Sequence, residues 1–161
     1  MMKTGSSSKM TSKRKGLKWL YIMTFIVMAF TGFGQLPIFK RYYIADIPGM
    51  GWAAKFFVTH YIHYLGAIFL IALITYAITA FYLEDRKSFR LTASAYIRIA
   101  FLGAIVVTGI FRVLKNLPDI VFSSGFTQFI DISHLGFMMC YLLSALVFLI
   151  SRSGWLAERS V

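Results

Sequence analysis

The sequence predicts an all-α integral membrane protein, a four-transmembrane-helix bundle with both termini in the cytoplasm. Three observations predict it. Of 161 residues, 58% are hydrophobic and only 14% are charged, whereas a soluble domain carries about 25% charge. The apolar residues fall in runs long enough to cross a bilayer as helix, which takes roughly 20 residues. The basic residues gather on alternate connections between those runs, the pattern that orients a multi-pass chain.

The chain opens with a basic tail, residues 1–16, whose Ser- and Lys-rich stretch Met1–Lys15 reads as disordered. The apolar run behind it is too long for a signal peptide and lacks a small-residue cleavage site, so it reads as an uncleaved anchor. Residues 17–151 form the membrane domain. Its first span, about Trp19–Leu36, has no formal charge between Lys18 and Lys40 and stops at Pro37. The second, Phe56–Leu83, is uncharged from Lys55 to Glu84 apart from two histidines. At 1.5 Å per residue it would be roughly 42 Å long, so it tilts or projects from the hydrocarbon. The third, Ala93–Leu114, contains Arg98 and Arg112 near its ends, where long side chains snorkel to the headgroups. The fourth, Ile132–Ser151, lies between Asp131 and Arg152, and residues 152–161 form a short cytoplasmic tail. Tyr and Trp near several ends, among them Trp19, Trp52, Tyr82, Tyr96 and Trp155, fit interfacial aromatic belts. No internal repeat is convincing at this level. The one cysteine, Cys140, lies within a span, so there is no disulfide framework.

Orientation follows from the 17 basic residues. Twelve lie in the N-terminal tail, around the connection between spans two and three (Arg86, Lys87, Arg90, Arg98) or after span four. The other five, Lys40, Arg41, Lys55, Arg112 and Lys115, lie on the opposite side. The side richer in Lys and Arg is cytoplasmic. The net charge of +11 is thus topology information, not a nucleic-acid footprint. A bacterial or archaeal cytoplasmic membrane is the expected location.

Within the apolar segments only three side chains look able to hold a cofactor: His60, His63 and His134. Ionisable groups at membrane depth point to function by default. His63 lies seven residues beyond Phe56 and His134 five beyond Phe129, roughly 10 Å and 7–8 Å along a helix. Both therefore fall in nearly the same layer of the outer leaflet. A histidine pair on two helices at one depth suits the axial ligation of a haem iron. His60 shares the face of His63 one turn nearer the surface. It reads as a propionate-side or quinone-side residue, with an axial role as the alternative. Gly66 and Gly136 follow the two ligand candidates and would leave packing gaps for a flat macrocycle, though small residues also serve ordinary helix contacts. Arg112 is placed either to meet a haem propionate or to anchor in the headgroups. Met138 and Met139 are alternative soft ligands, and Cys140 reads as packing.

The stretch HYIHYLGAIFLIALITYAI, with His63 and Gly66 three residues apart, resembles the second helix of four-helix b-type cytochrome subunits. Such subunits anchor periplasmic formate dehydrogenases, nickel–iron hydrogenases and thiosulfate reductases. ISHLGFMMCYLLSALVF resembles the start of their fourth helix, and the likeness covers roughly Trp19–Ile150. The resemblance implies that His63 and His134 ligate an outer haem b. It also implies an outer-face partner holding iron–sulfur clusters or several haems, and electron exchange with a menaquinone or ubiquinone. An inner haem would need a histidine in the first helix, which has none, and another where Phe148 stands. One haem is therefore expected.

The longest connections, Pro37–Lys55 and Asn116–Ile130, are expected on the outer side and are aromatic and apolar for loops. That suggests partner docking, a quinone pocket, or half-helices lying in the headgroups. Asp46, Asp119 and Asp131 are expected in or beside loops and solvated. No phosphate loop, paired carboxylates or nucleophile triad is present, so the chain is expected to carry electrons rather than transform a substrate. A haem-free anchor or assembly subunit, or a small transporter, are the competing expectations.

Overall fold

The computed structural model describes residues 4–36 and 46–159, with side chains from Lys15 onward. The expected helix stop at Pro37 and the first part of the Pro37–Lys55 connection lie outside the described residues. Four helices in it are long and apolar enough to cross a membrane. The chain divides into two compact units, Met1–Leu83 and Glu84–Val161, and each is a helical hairpin.

The first unit pairs α1 (Thr4–Gly34) with α2 (Phe56–Ala80). Helical backbone continues through the basic segment back to Thr4. Thr24 and Thr31, polar residues in an apolar helix, hand their hydroxyl protons to the carbonyls four residues earlier, Leu20 and Val27, which satisfies them without water. Between the helices a short 3-10 turn, Gly51–Ala54, packs its fully buried Ala53 against the end of α1. Gly34 permits that approach, since a Cβ there would stand 3.3 Å from Thr59 Cγ2 and 3.4 Å from the Ala53 carbonyl. At its far end α2 widens into a π-helical turn, Phe81–Asp85, so the helical backbone runs slightly past the expected limit at Leu83.

The second unit pairs α3 (Ala93–Leu114) with α4 (Ser124–Ile150) and adds a two-stranded antiparallel ribbon, β1 (Phe89–Leu91) with β2 (Leu156–Glu158). The limits of α3 are those expected. Thr92 caps it, its hydroxyl accepting from the Ala95 N–H. The start of α4 is a correction: it begins at Ser124, not Ile132, and Ser123 caps it by accepting from the Phe126 N–H. The last seven residues of the expected Asn116–Ile130 loop are therefore helix. Asp131, taken as the charged edge of the span, stays inside the helix because two cations neutralise it. Arg112 Nε lies 3.1 Å and Lys115 Nζ 2.7 Å from its carboxylate.

Arg98 is a second correction. It does not snorkel but is buried, 7% exposed. α4 ends in a left-handed turn at Arg152 (φ 53°), with the Ser153 N–H donating to the Phe148 carbonyl and the Arg152 N–H to that of Leu149, a Schellman-type stop. The chain then folds back over the start of α3. Arg98 Nη2 donates to the Ser153 carbonyl at 2.7 Å, and its guanidinium lies 4.8 Å from the Phe148 ring centre and 5.0 Å from that of Trp155. Thr92 and Ser94 hydroxyls donate to the Gly154 carbonyl. The expected C-terminal tail is thus a docked strand, closed by the Arg159 N–H donating to the Ser88 carbonyl.

Candidate functional site: two matched imidazole settings

His63 stands on α2 in the first unit and His134 on α4 in the second, each half-buried. In the first unit His63 Nδ1 lies 3.0 Å from the hydroxyl of Thr31 on α1. In the second, His134 Nδ1 lies 3.0 Å from the hydroxyl of Thr108 on α3. A glycine follows each threonine, Gly32 and Gly109. A Cβ on either would come within 3.3 Å of its histidine's Cε1 and 3.8 Å of Nδ1. Each imidazole therefore lies against bare helix backbone where any side chain would push it away. Thr-Gly on the first helix and His on the second are the same device in both units.

The correspondence extends beyond the three residues. Four positions before each histidine is a fully buried side chain, Thr59 or Ile130, and seven after it another buried one, Leu70 or Tyr141. Four residues after each threonine is a polar side chain, Gln35 or Arg112, and each meets the residue three before the histidine. Gln35 Oε1 lies 3.1 Å from His60 Nδ1, as Arg112 Nε lies 3.1 Å from Asp131. The two hairpins thus repeat one pattern of positions, although the sequence itself shows no convincing internal repeat. Measured from its helix start, His134 now lies ten residues in and His63 seven. The match between them rests on the Thr-Gly register, not on distance from the helix ends.

His60 belongs to a separate network. Gln35 Nε2 donates to the Thr31 carbonyl at 3.2 Å, which turns its Oε1 toward the His60 ring. That ring stacks on Phe56 at 5.1 Å and meets Tyr64 at 4.2 Å between centroids. Thr31 thus connects both histidines of the unit, one through its hydroxyl and one through its carbonyl. Arg112 and Lys115 both pair with Asp131, so two cations face one carboxylate beside the His134 turn.

Gly66 carries a different role from the expected gap. The Met28 thioether fills the space over it, with Sδ 2.6 Å from where a Cβ would be, so Gly66 serves the close approach of α1 and α2. Gly136, by contrast, faces open space. Gly66→Val is therefore expected to destabilise the first hairpin by roughly 1–3 kcal/mol through overpacking. Gly103→Ala, where a Cβ meets nothing within 4 Å, should gain up to about 1 kcal/mol of helix propensity. Thermal unfolding of both variants in one detergent checks the contrast.

Among the described residues no group of three or more His, Cys, Asp and Glu side chains gathers to hold a metal ion. His63 and His134 are each held at Nδ1 by a threonine hydroxyl on the neighbouring helix. The Thr-Gly dipeptides are what the sequence reading missed. Their signal is the recurrence of Thr-Gly toward the C-terminal ends of α1 and α3, each followed by a histidine on the next long helix. Comparison of the chain with protein-family models, with curated proteins and with solved structures finds no match.

Proposed function

We propose that the protein is a haem b-carrying membrane subunit that passes electrons between a redox partner and a membrane quinone. His63 and His134 would hold its iron. The observation that carries this reading is the duplicated setting, in which each hairpin holds one imidazole by a threonine at 3.0 Å against a glycine. The same three residue types at the same separations in both hairpins support a shared role for the two imidazoles. A haem supplies one-electron transfer at a potential set by its axial ligands, burial and nearby charge. The chain's own residues orient the two imidazoles and keep bulk away from them, and Arg112 with Lys115 place excess positive charge beside His134, which favours an anionic group such as a propionate.

The quinone, a menaquinone or ubiquinone, belongs near His60, where Gln35 orients an imidazole between the rings of Phe56 and Tyr64. The charge asymmetry of the connections supports cytoplasmic termini, and hence an outer-face position for His60, His63, His134 and the partner, an iron–sulfur or multihaem protein. That topology is the one expected in the cytoplasmic membrane of a bacterium or archaeon.

Stoichiometry tests the reading. Among the described residues one Thr-Gly/His setting occurs per hairpin, and Phe148 occupies the position an inner ligand would need. A pyridine haemochrome assay on the pure chain is expected to give a haem-to-protein ratio near one. A ratio near two would require ligands outside this pair, and a chain without haem would favour a plain membrane anchor.

A further inference from the structure

The threonine hydroxyls decide which ring nitrogen of each histidine carries the proton. A hydroxyl has a single proton and two acceptor lone pairs. Thr31 Oγ1 lies 2.7 Å from the Val27 carbonyl and 3.3 Å from that of Met28. Thr108 Oγ1 lies 2.7 Å from the Ala104 carbonyl and 3.1 Å from that of Ile105. A carbonyl can only accept, so in both cases the short helix contact takes the proton. Toward the imidazole, 3.0 Å away in each unit, the hydroxyl oxygen is left as an acceptor. The ring must then donate, and its proton sits on Nδ1.

From this proton count we infer that Thr31 and Thr108 are positioning residues that hold His63 and His134 as Nδ1–H tautomers, with Nε2 as the lone-pair nitrogen. That is the form an imidazole needs to bind a metal through Nε2, and an Nδ1–H donated to a fixed acceptor also makes the ring a stronger electron donor. Gly32 and Gly109 complete the device, because a Cβ at either would stand a tight 3.3 Å from the ring that reaches the threonine one position earlier. The ligand role rests on the proposed haem; the tautomer assignment rests on the hydrogen bonds alone.

The test uses the full-length chain and four variants, Thr31→Val, Thr108→Val, Thr31→Ser and Thr108→Ser. Valine keeps the shape and removes the acceptor; serine restores it. With haem bound, each valine variant is expected to raise the haem reduction potential and to weaken haem retention about 10–100-fold, with serine close to wild type. Valine variants with wild-type potential and retention would overturn the inference. Nitrogen-15 NMR of ring-labelled histidine in the haem-free chain reads the tautomer independently. Wild type and serine variants should show protonated Nδ1 at His63 and His134, and each valine variant should lose that preference at its own histidine. If the wild-type chain takes up no haem, the haem reading fails and the NMR result alone decides the tautomer. A proton on Nε2 in wild type would overturn it.

Discussion

Alanine at His63 or at His134 is expected to abolish the low-spin haem spectrum of the protein, either substitution being sufficient. Each hairpin presents one imidazole oriented by a threonine, and under the proposed function both would be needed to hold the haem iron. The loss should exceed the roughly 10–100-fold typical when only a supporting hydrogen bond to a ligand is removed. His60→Ala should keep most of the low-spin signal, since that ring is engaged by Gln35, Phe56 and Tyr64 and not by a Thr-Gly pair. Optical spectra of the three purified variants check this. Full low-spin haem in His63→Ala, with loss in His60→Ala, would move the ligand role to His60.

The second large effect is structural. Arg98→Ala is expected to destabilise the ribbon-bearing end of the second unit by about 2–4 kcal/mol. A hydrogen bond from a charged donor is worth about 1.5–3 kcal/mol, and each desolvated cation–π contact adds about 0.5–2. Arg98 makes one of the former, to the Ser153 carbonyl, and two of the latter, to Phe148 and Trp155. These terms overlap, so the sum is an upper limit. The readout is hydrogen exchange at Leu156–Glu158, which should lose protection while α3 and α4 keep theirs. Unchanged protection of β2 would mean that the ribbon's own hydrogen bonds, with those of Thr92 and Ser94, suffice to hold it.

How legible this was in the sequence depended on whether neighbours along the chain or neighbours in space decide a residue's state. The third helix was read to the residue, because Thr92 caps it and its apolar run begins at once. The fourth was read eight residues short, because Asp131 was taken as the edge of the membrane span. Its charge is cancelled by Arg112 and Lys115, 19 and 16 positions earlier, and only the folded hairpin brings them together. Arg98 failed for the same reason: a snorkelling end and a buried clamp look alike until Phe148 and Trp155 fold over it.

All three histidines were found as the candidates, since ionisable groups are conspicuous in apolar runs. Their partners were not. Thr31 stands 32 positions before His63, while Thr108 stands 26 before His134, so the repeat is out of register along the chain. It is further masked by the exchange of Gln35 and His60 for Arg112 and Asp131. Threonine and glycine are common in membrane helices, and their meaning appears only when a facing helix supplies the imidazole.

The proposed ligation of a haem iron by His63 and His134 is tested most directly by the ligand-field signature of the purified full-length chain. Electron paramagnetic resonance, with near-infrared magnetic circular dichroism of the oxidised protein, distinguishes axial ligand pairs. The account predicts a single low-spin ferric haem b with two histidine ligands, lost in both His63→Ala and His134→Ala. A histidine–methionine signature would bring in Met138 or Met139, and a chain that holds no haem when haem is supplied would contradict the account outright.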